Sequence, residues 1–225
     1  MELGRYGDCS SAGLEWNCEI SMDVFEAINT LRAIRRFTPD PVSDDDLWTV
    51  IDAATKAPSG GNRQPWNFIV IRDSETKRRL AEYYRRAWEQ TYGKAPPAPS
   101  SEPSAGLGAA YRSAEYLAHH LAEVPVLIMV TSRGGGVGAS LSGASIYPAV
   151  QNLLLAARAL GLGSTITTLH RLYEREVKEL LGIPENVDTM ALIPIGRTAA
   201  RFGPPRRLPV EKVTYWERWG STRSK

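Results

Sequence analysis

Residues 57–66 combine side chains that suit the binding of a flat ligand with a polar edge. Gly60 and Gly61 carry no side chain, so the backbone can come close to a planar molecule. Asn62 and Gln64 have amide groups that both donate and accept hydrogen bonds at such an edge. A plain turn needs fewer special residues than this segment holds, and an apolar run follows at once. The composition therefore predicts a binding loop.

Arginines form two clusters near opposite ends of the chain. Guanidinium groups bind phosphate through two parallel hydrogen bonds, so two clusters could hold one phosphate group between them. Each cluster alone is typical of a solvated surface, and spacing does not decide whether the clusters meet in space. The two clusters are Arg32, Arg35 and Arg36, and Arg201, Arg206 and Arg207.

The glycine run at residues 134–139 fits the G-x-G-x-x-A pattern of dinucleotide sites and stands between a predicted strand and a predicted helix. Such sites also need an acidic residue about 20 positions later. No Asp or Glu occurs between Val124 and Tyr173, which favours a flexible loop over a dinucleotide site. The sequence has no G-x-S-x-G serine and no P-loop lysine motif.

A metal site is not expected. The two cysteines, Cys9 and Cys18, fit no zinc, redox or haem spacing, and the sequence has no H-E-x-x-H. His119 and His120 stand side by side on a predicted helix, so they point to different faces and are interpreted as surface or rim residues.

Composition indicates one globular domain or two small ones. The 225 residues are 43% hydrophobic and 23% charged, which argues against a disordered or coiled-coil chain. The net charge of +2 is too balanced to indicate a nucleic acid or an anionic membrane as partner. No run of 18 apolar residues and no secretory signal occur, so we expect a cytoplasmic protein that does not cross a membrane.

Periodicity predicts six helices and four strands in mixed order, typical of an α+β fold with a mixed, mostly antiparallel sheet between helices. The second helix has an N-cap at Ser43, with Asp46 three residues on. The predicted helices are 24–31, the one that starts at the Ser43 cap, carries an apolar stripe at 47–54 and ends before Pro58, and those at 75–92, 109–123, 146–160 and 174–181. The predicted strands are 66–71, 125–130, 164–169 and 190–195.

The remaining segments lack regular patterns. Residues 1–21 are interpreted as a flexible extension that can be removed, and 22–225 as one domain. Four prolines between residues 94 and 106 exclude a regular helix there, so a variable segment near 88–111 separates two helices. An arm rich in proline and arginine begins at about residue 198.

Taken together, these segments resemble the FMN-dependent nitroreductase family. The resemblance covers roughly residues 22–209 and keeps the order of the family's motifs. It rests on the arginines after the first helix and on five short stretches: A-P-S-G-G-N-R-Q-P-W at 57–66, A-S-I-Y-P-A-V-Q-N-L-L at 144–154, G-L-G at 161–163, P-I-G at 194–196 and R-R-L-P at 206–209.

The resemblance implies a three-layer nitroreductase-like fold with a domain-exchanged C-terminal arm, and a homodimer with FMN at the subunit interface. It implies that Arg207, with Arg206 beside it, binds the phosphate, and that the 88–111 segment is a lid over the flavin. Leu31 and Ala33 stand where the family often has Arg and Ser. The implied cofactor-binding residues are Arg32, Ala33, Arg35, Pro58, Ser59, Gly60, Asn62, Gln64, Thr167, Thr168, Arg206 and Arg207, with residues 58–64 reaching the flavin of the partner subunit and Thr167 and Thr168 near flavin N5.

The chemistry implied by the resemblance belongs to the cofactor, so no protein side chain is assigned as catalytic. NAD(P)H would reduce the flavin, and a nitroaromatic, a quinone or a similar small acceptor would then take the electrons in a ping-pong sequence. Alternatives are a flavin-binding relative with different chemistry, such as dehalogenation or flavin cleavage, a non-catalytic flavin-binding module, and a deazaflavin in place of FMN.

Overall fold

The computed structural model describes residues 22–93, 107–133 and 139–223. Its helices are α1 (Val24–Thr30), α2 (Asp44–Thr55), α3 (Ser74–Tyr92), α4 (Leu107–His120), α5 (Ala139–Ala159) and α6 (Glu174–Leu181). Its strands are β1 (Trp66–Ile71), β2 (Val126–Arg133), β3 (Gly163–Ser164) and β4 (Val187–Gly196). Short 3-10 turns lie at Gly60–Asn62, Leu121–Glu123, Leu169–Tyr173 and Val210–Lys212.

The four strands form one sheet in the order β1-β2-β4-β3. Every strand pair in the described residues is antiparallel, and β1 pairs with β2 from Trp66 opposite Ser132 to Ile71 opposite Leu127. The short strand β3 pairs with the end of β4 and with no other strand among the described residues.

Helices cover both faces of this sheet. Side chains of β2 alternate between the two faces, as the period of a strand requires. Val126, Ile128 and Val130 pack in one core with α2 and α5, whereas Leu127 and Met129 pack in the other core with α3, α4 and α6. This confirms the predicted three-layer α+β fold.

The predicted cap of the second helix is confirmed. The Ser43 hydroxyl accepts a hydrogen bond from the Asp46 N–H at 3.0 Å, and α2 begins at the next residue, Asp44. Such a cap satisfies one of the backbone donors that a helix start leaves unpaired.

Two predicted elements depart most from the structure, and shifts of up to three residues occur at the ends of β2, β4 and α4. The predicted strand 164–169 keeps only Gly163–Ser164, with one further pairing between Thr167 and Leu192. A 3-10 turn at Leu169–Tyr173 follows, in which His170 is buried at 1% exposure. Helix α5 begins at Ala139 rather than at residue 146. The prediction missed its first turns because they consist largely of small residues and show no apolar stripe.

Several predictions fall outside the described residues: the extension 1–21, the proline segment 94–106 and the glycine run 134–138. In the part of the chain that the structure describes, no helix combines the length and apolarity needed to cross a membrane. Within the same residues, no group of three or more His, Cys, Asp or Glu side chains could hold a metal ion.

Candidate functional site

An extended segment, residues 31–38, runs along the free side of β3 and carries the first arginine cluster. The Ile34 N–H donates to the Ser164 carbonyl at 3.0 Å, and the Thr38 N–H donates to the Arg197 carbonyl at 2.9 Å. A Cβ on Gly163 would lie 2.6 Å from the Ile34 side chain, so only glycine permits this approach. The segment is therefore held by the sheet edge, and it carries its arginines there.

A cavity of about 570 Å³, the large cavity, lies between this segment, α5, the residues after β3 and the C-terminal arm. Arg32 and Arg207 both line it. The structure therefore brings together one member of each arginine cluster, from positions 175 residues apart. The full lining is Ile28, Asn29, Leu31, Arg32, Ala33, Gln151, Leu154, Ser164, Thr165, Ile166, Pro204, Pro205 and Arg207.

The chemistry of the large cavity suits an anion joined to a polar chain. Two guanidinium groups line it, and no carboxylate among the described residues does. Asn29 and Gln151 add amides that can donate and accept hydrogen bonds. Ser164 is 2% exposed, and its hydroxyl has no hydrogen-bond partner within the described protein. A buried hydroxyl without a partner is costly, which makes Ser164 a candidate to contact a bound molecule.

Sequence reasoning did not single out Gln151 and Ser164 as binding residues. Gln151 had a weak signal, because it is a polar residue within the largely apolar run 144–154. Ser164 had none, since a serine in a predicted strand is ordinary and only its burial without a partner marks it.

Arg35 faces a second, smaller cavity of about 290 Å³, the small cavity, which shares Arg32 and Ala33 with the large one. Burial lowers the pKa of Arg35 from its ordinary value, and the nearby Tyr84 acts in the opposite direction. A guanidinium group remains protonated at neutral pH, so Arg35 brings a partly desolvated positive charge to the site.

The C-terminal arm, residues 198–223, begins by packing on its own subunit. The Thr198 hydroxyl donates to the Arg36 carbonyl at 2.7 Å and accepts from the Ala200 N–H at 3.0 Å. Farther along, the Phe202 ring lies 4.3 Å from the guanidinium carbon of Arg158 on α5. These contacts direct the arm past the small cavity and then along the large one, where Arg207 lies. Arg206 lines neither cavity.

The binding loop, residues 57–66, lies outside both cavities of its own subunit. The Gln64 side chain donates to Asn62 Oδ1 at 3.1 Å, and the Gln64 N–H donates to the Ser59 hydroxyl at 3.1 Å. Asn62 and Gln64 both have positive φ angles, 51° and 47°, which is uncommon for residues other than glycine. Pro58 and Gly60 are exposed and Ser59 is half-buried. Their contact with a partner's flavin stays a prediction.

Thr167 and Thr168 do not line the large cavity, although the residues just before them, 164–166, do. The Thr167 hydroxyl is hydrogen-bonded to the Tyr84 hydroxyl at 2.8 Å, and Thr168 is exposed. Burial raises the pKa of Tyr84, while the bond to Thr167 and the charge of Arg35 oppose that shift. The hydrogen bond between Tyr84 and Thr167 is a contact that the sequence did not reveal.

Comparison with known proteins gives a consistent result. The model of the nitroreductase family matches residues 28–197. A protein from Archaeoglobus fulgidus, named as an NADH dehydrogenase or NAD(P)H nitroreductase, is 32% identical over 176 residues, which cover 77% of this chain and 84% of that protein. An NADH dehydrogenase from Thermus thermophilus is 30% identical over 210 residues, covering 87% of this chain and 96% of that protein.

Among solved structures, oxidized iodotyrosine deiodinase bound to FMN and 3-iodo-L-tyrosine has a similar fold. The TM-score is 0.69 at 25% sequence identity, and the match covers 83% of this chain and 96% of that one. The similarity extends over nearly all of that chain, so the fold described above is shared as a whole.

Proposed function

The chain belongs to the nitroreductase family, and on that premise we propose that it is an FMN-dependent oxidoreductase. In this proposal NAD(P)H is the electron donor and a small flat molecule, such as a nitroaromatic or a quinone, is the acceptor. Donor and acceptor use the same site in turn, in a ping-pong sequence. The names of the relatives support the donor, and the FMN of the deiodinase structure supports the cofactor.

The observation that carries the proposal is that Arg32 and Arg207 line the same cavity. FMN ends in a single phosphate, and two guanidinium groups can hold that phosphate through paired hydrogen bonds. Gln151 and the hydroxyl of Ser164 supply neutral polar groups for the rest of the cofactor. The residues present therefore fit FMN.

Bound FMN supplies the hydride and electron transfer that no side chain of this protein can perform. The residues of the chain bind and orient the reactants. Arg32 and Arg207 would hold the phosphate, and Arg35, which lines only the adjoining small cavity, would supply positive charge that stabilises the flavin as it is reduced. The charge of Arg35 acts strongly because the group is partly removed from water.

The same proposal includes a homodimer. Val24, Phe25 and Ile28 on α1 are 57%, 69% and 49% exposed, and Trp216 and Trp219 on the arm are 45% and 90% exposed. Large apolar side chains in such numbers are typical of a protein interface. A partner subunit would cover them and bring its residues Pro58, Ser59, Gly60, Asn62 and Gln64 to the flavin. In this proposal domain exchange concerns the part of the arm beyond Arg207, since residues 198–207 pack on their own subunit.

Reductive dehalogenation is the second candidate, because the fold and 25% of the matched residues are shared with a deiodinase that binds 3-iodo-L-tyrosine. Both reactions need a reduced flavin, and they differ in the molecule that accepts the electrons. The cavities by themselves favour neither acceptor.

The test begins with the absorbance spectrum of the purified protein, which distinguishes FMN from a deazaflavin. A colourless preparation that also fails to bind added FMN would contradict the proposal. NADH and NADPH oxidation is then measured with no acceptor, with a nitroaromatic, with a quinone and with 3-iodo-L-tyrosine. Release of iodide alone would identify a dehalogenase, and a flavin that neither nucleotide reduces would identify a non-catalytic module.

A further inference from the structure

The small cavity is lined by four arginines: Arg32, Arg35, Arg36 and Arg201. Only Arg32 also lines the large cavity. Within the described residues no Asp or Glu lines the small cavity, and no carboxylate forms an ion pair with any of the four. Arg35 is half-buried and the other three are exposed, so water screens part of their mutual repulsion and a bound anion relieves the rest.

Specific contacts hold these arginines in place. The Arg36 guanidinium lies over the Tyr116 ring, 3.5 Å from its centre, which leaves its N–H edge available for hydrogen bonds. The Thr198 hydroxyl joins the Arg36 carbonyl to the Ala200 N–H and so brings Arg201 to the same cavity. Ser113 on α4 adds a hydroxyl to the wall. The cavity is thus built by three separate parts of the chain.

The positive charge of the two cavities exceeds what one FMN needs. FMN has one phosphate, for which the large cavity offers Arg32 and Arg207. Arg35 serves the flavin in the function proposed above, so Arg36 and Arg201 remain in the small cavity beyond what one FMN needs. A phosphate dianion accepts several charged hydrogen bonds at once, whereas a single carboxylate is satisfied by one arginine. The excess therefore favours a second phosphate group over a carboxylate.

We propose that the small cavity binds a phosphate group of the nicotinamide dinucleotide donor. The two cavities share the wall formed by Arg32 and Ala33, so a donor anchored in one lies beside a cofactor bound in the other. Both the pyrophosphate, which NADH and NADPH share, and the 2′-phosphate, which only NADPH carries, have the required chemistry. This inference rests on the function proposed above.

The experiment compares the FMN-loaded wild-type protein with Arg201→Gln. Arg112→Gln is the matched control, because Arg112 is an exposed arginine next to Ser113 that lines neither cavity. Stopped-flow absorbance gives the donor concentration for half-maximal flavin reduction with NADH and with NADPH. Fluorescence titration gives the FMN Kd, and ³¹P NMR line broadening reports binding of inorganic phosphate without turnover.

We expect Arg201→Gln to raise the half-saturating donor concentration about 10-fold or more, the effect of one lost charged hydrogen bond. The Kd for FMN should stay within about twofold of wild type. The broadening of the ³¹P signal of inorganic phosphate should be lost. The control should match wild type in all three measurements. A rise in the half-saturating concentration for NADPH alone would identify the 2′-phosphate as the bound group. Equal rises for both donors would identify the pyrophosphate.

Two results overturn the inference while the proposed function stands. One is a half-saturating donor concentration in Arg201→Gln equal to that of wild type, with or without loss of phosphate binding. The other is weaker FMN binding in Arg201→Gln, which would place the FMN phosphate in the small cavity. A different failure is a wild-type protein whose flavin neither nucleotide reduces. That result would exclude NAD(P)H as the donor and with it the proposed function.

Discussion

Replacement of Arg207 with alanine is expected to weaken FMN binding by about 2–3 kcal/mol, which is about 30- to 150-fold in Kd. Arg207 lines the large cavity together with Arg32, and its Nη1 already donates to the Arg206 carbonyl at 2.9 Å. The other N–H groups of its guanidinium are the ones available for a phosphate.

The magnitude follows from that arrangement. A hydrogen bond to a charged group contributes about 1.5–3 kcal/mol, and a paired contact exceeds a single one. Arg207 is exposed, however, so water and salt screen part of its attraction. The two effects together give the stated range, and the difference between variant and wild type should shrink as ionic strength rises.

The assay is a fluorescence titration of the FMN-free protein with FMN at fixed ionic strength. Arg207→Lys keeps the charge but loses the planar fork, so we expect an intermediate Kd. Arg79→Ala removes an exposed arginine of α3 that lines neither cavity and serves as the control. If Arg207→Ala binds FMN as wild type does while Arg32→Ala does not, the phosphate is not held between them, and the reasoning fails.

Three further predictions concern other parts of the molecule. Arg35→Ala should lower the rate of flavin reduction in stopped-flow measurements, since its partly buried charge is placed for the developing negative charge; an unchanged rate would exclude that role. Sedimentation should show a dimer, and Phe25→Asp on α1 should shift it toward monomer; a wild-type monomer would contradict the proposed interface. Burial lowers the pKa of His170 to about 4, so the neutral ring stabilises the fold above pH 6.5. This stability should fall by about 3 kcal/mol between pH 6.5 and 4. In denaturant unfolding, the free energy of unfolding should decrease less over this pH range in His170→Leu than in wild type. An equal decrease in that variant would exclude His170 as the cause.

The sequence by itself determined the local elements, because they depend on neighbouring residues. The Ser43 cap, strand Trp66–Ile71 and the end of α6 at Gly182, whose φ is +65°, were all readable from residue type and period. Where apolar periodicity was missing, as in the first turns of α5, the boundary was wrong.

The candidate site was only partly predictable for a related reason. The arginine clusters and the binding loop could be recognised as chemically unusual, since residue type alone makes them so. Which arginines meet depends on contacts between distant segments: Gly163 admits Ile34 against β3, and Thr198 joins the arm to Arg36. No local pattern contains such contacts, so only the tertiary structure separated Arg207 in the large cavity from Arg201 in the small one.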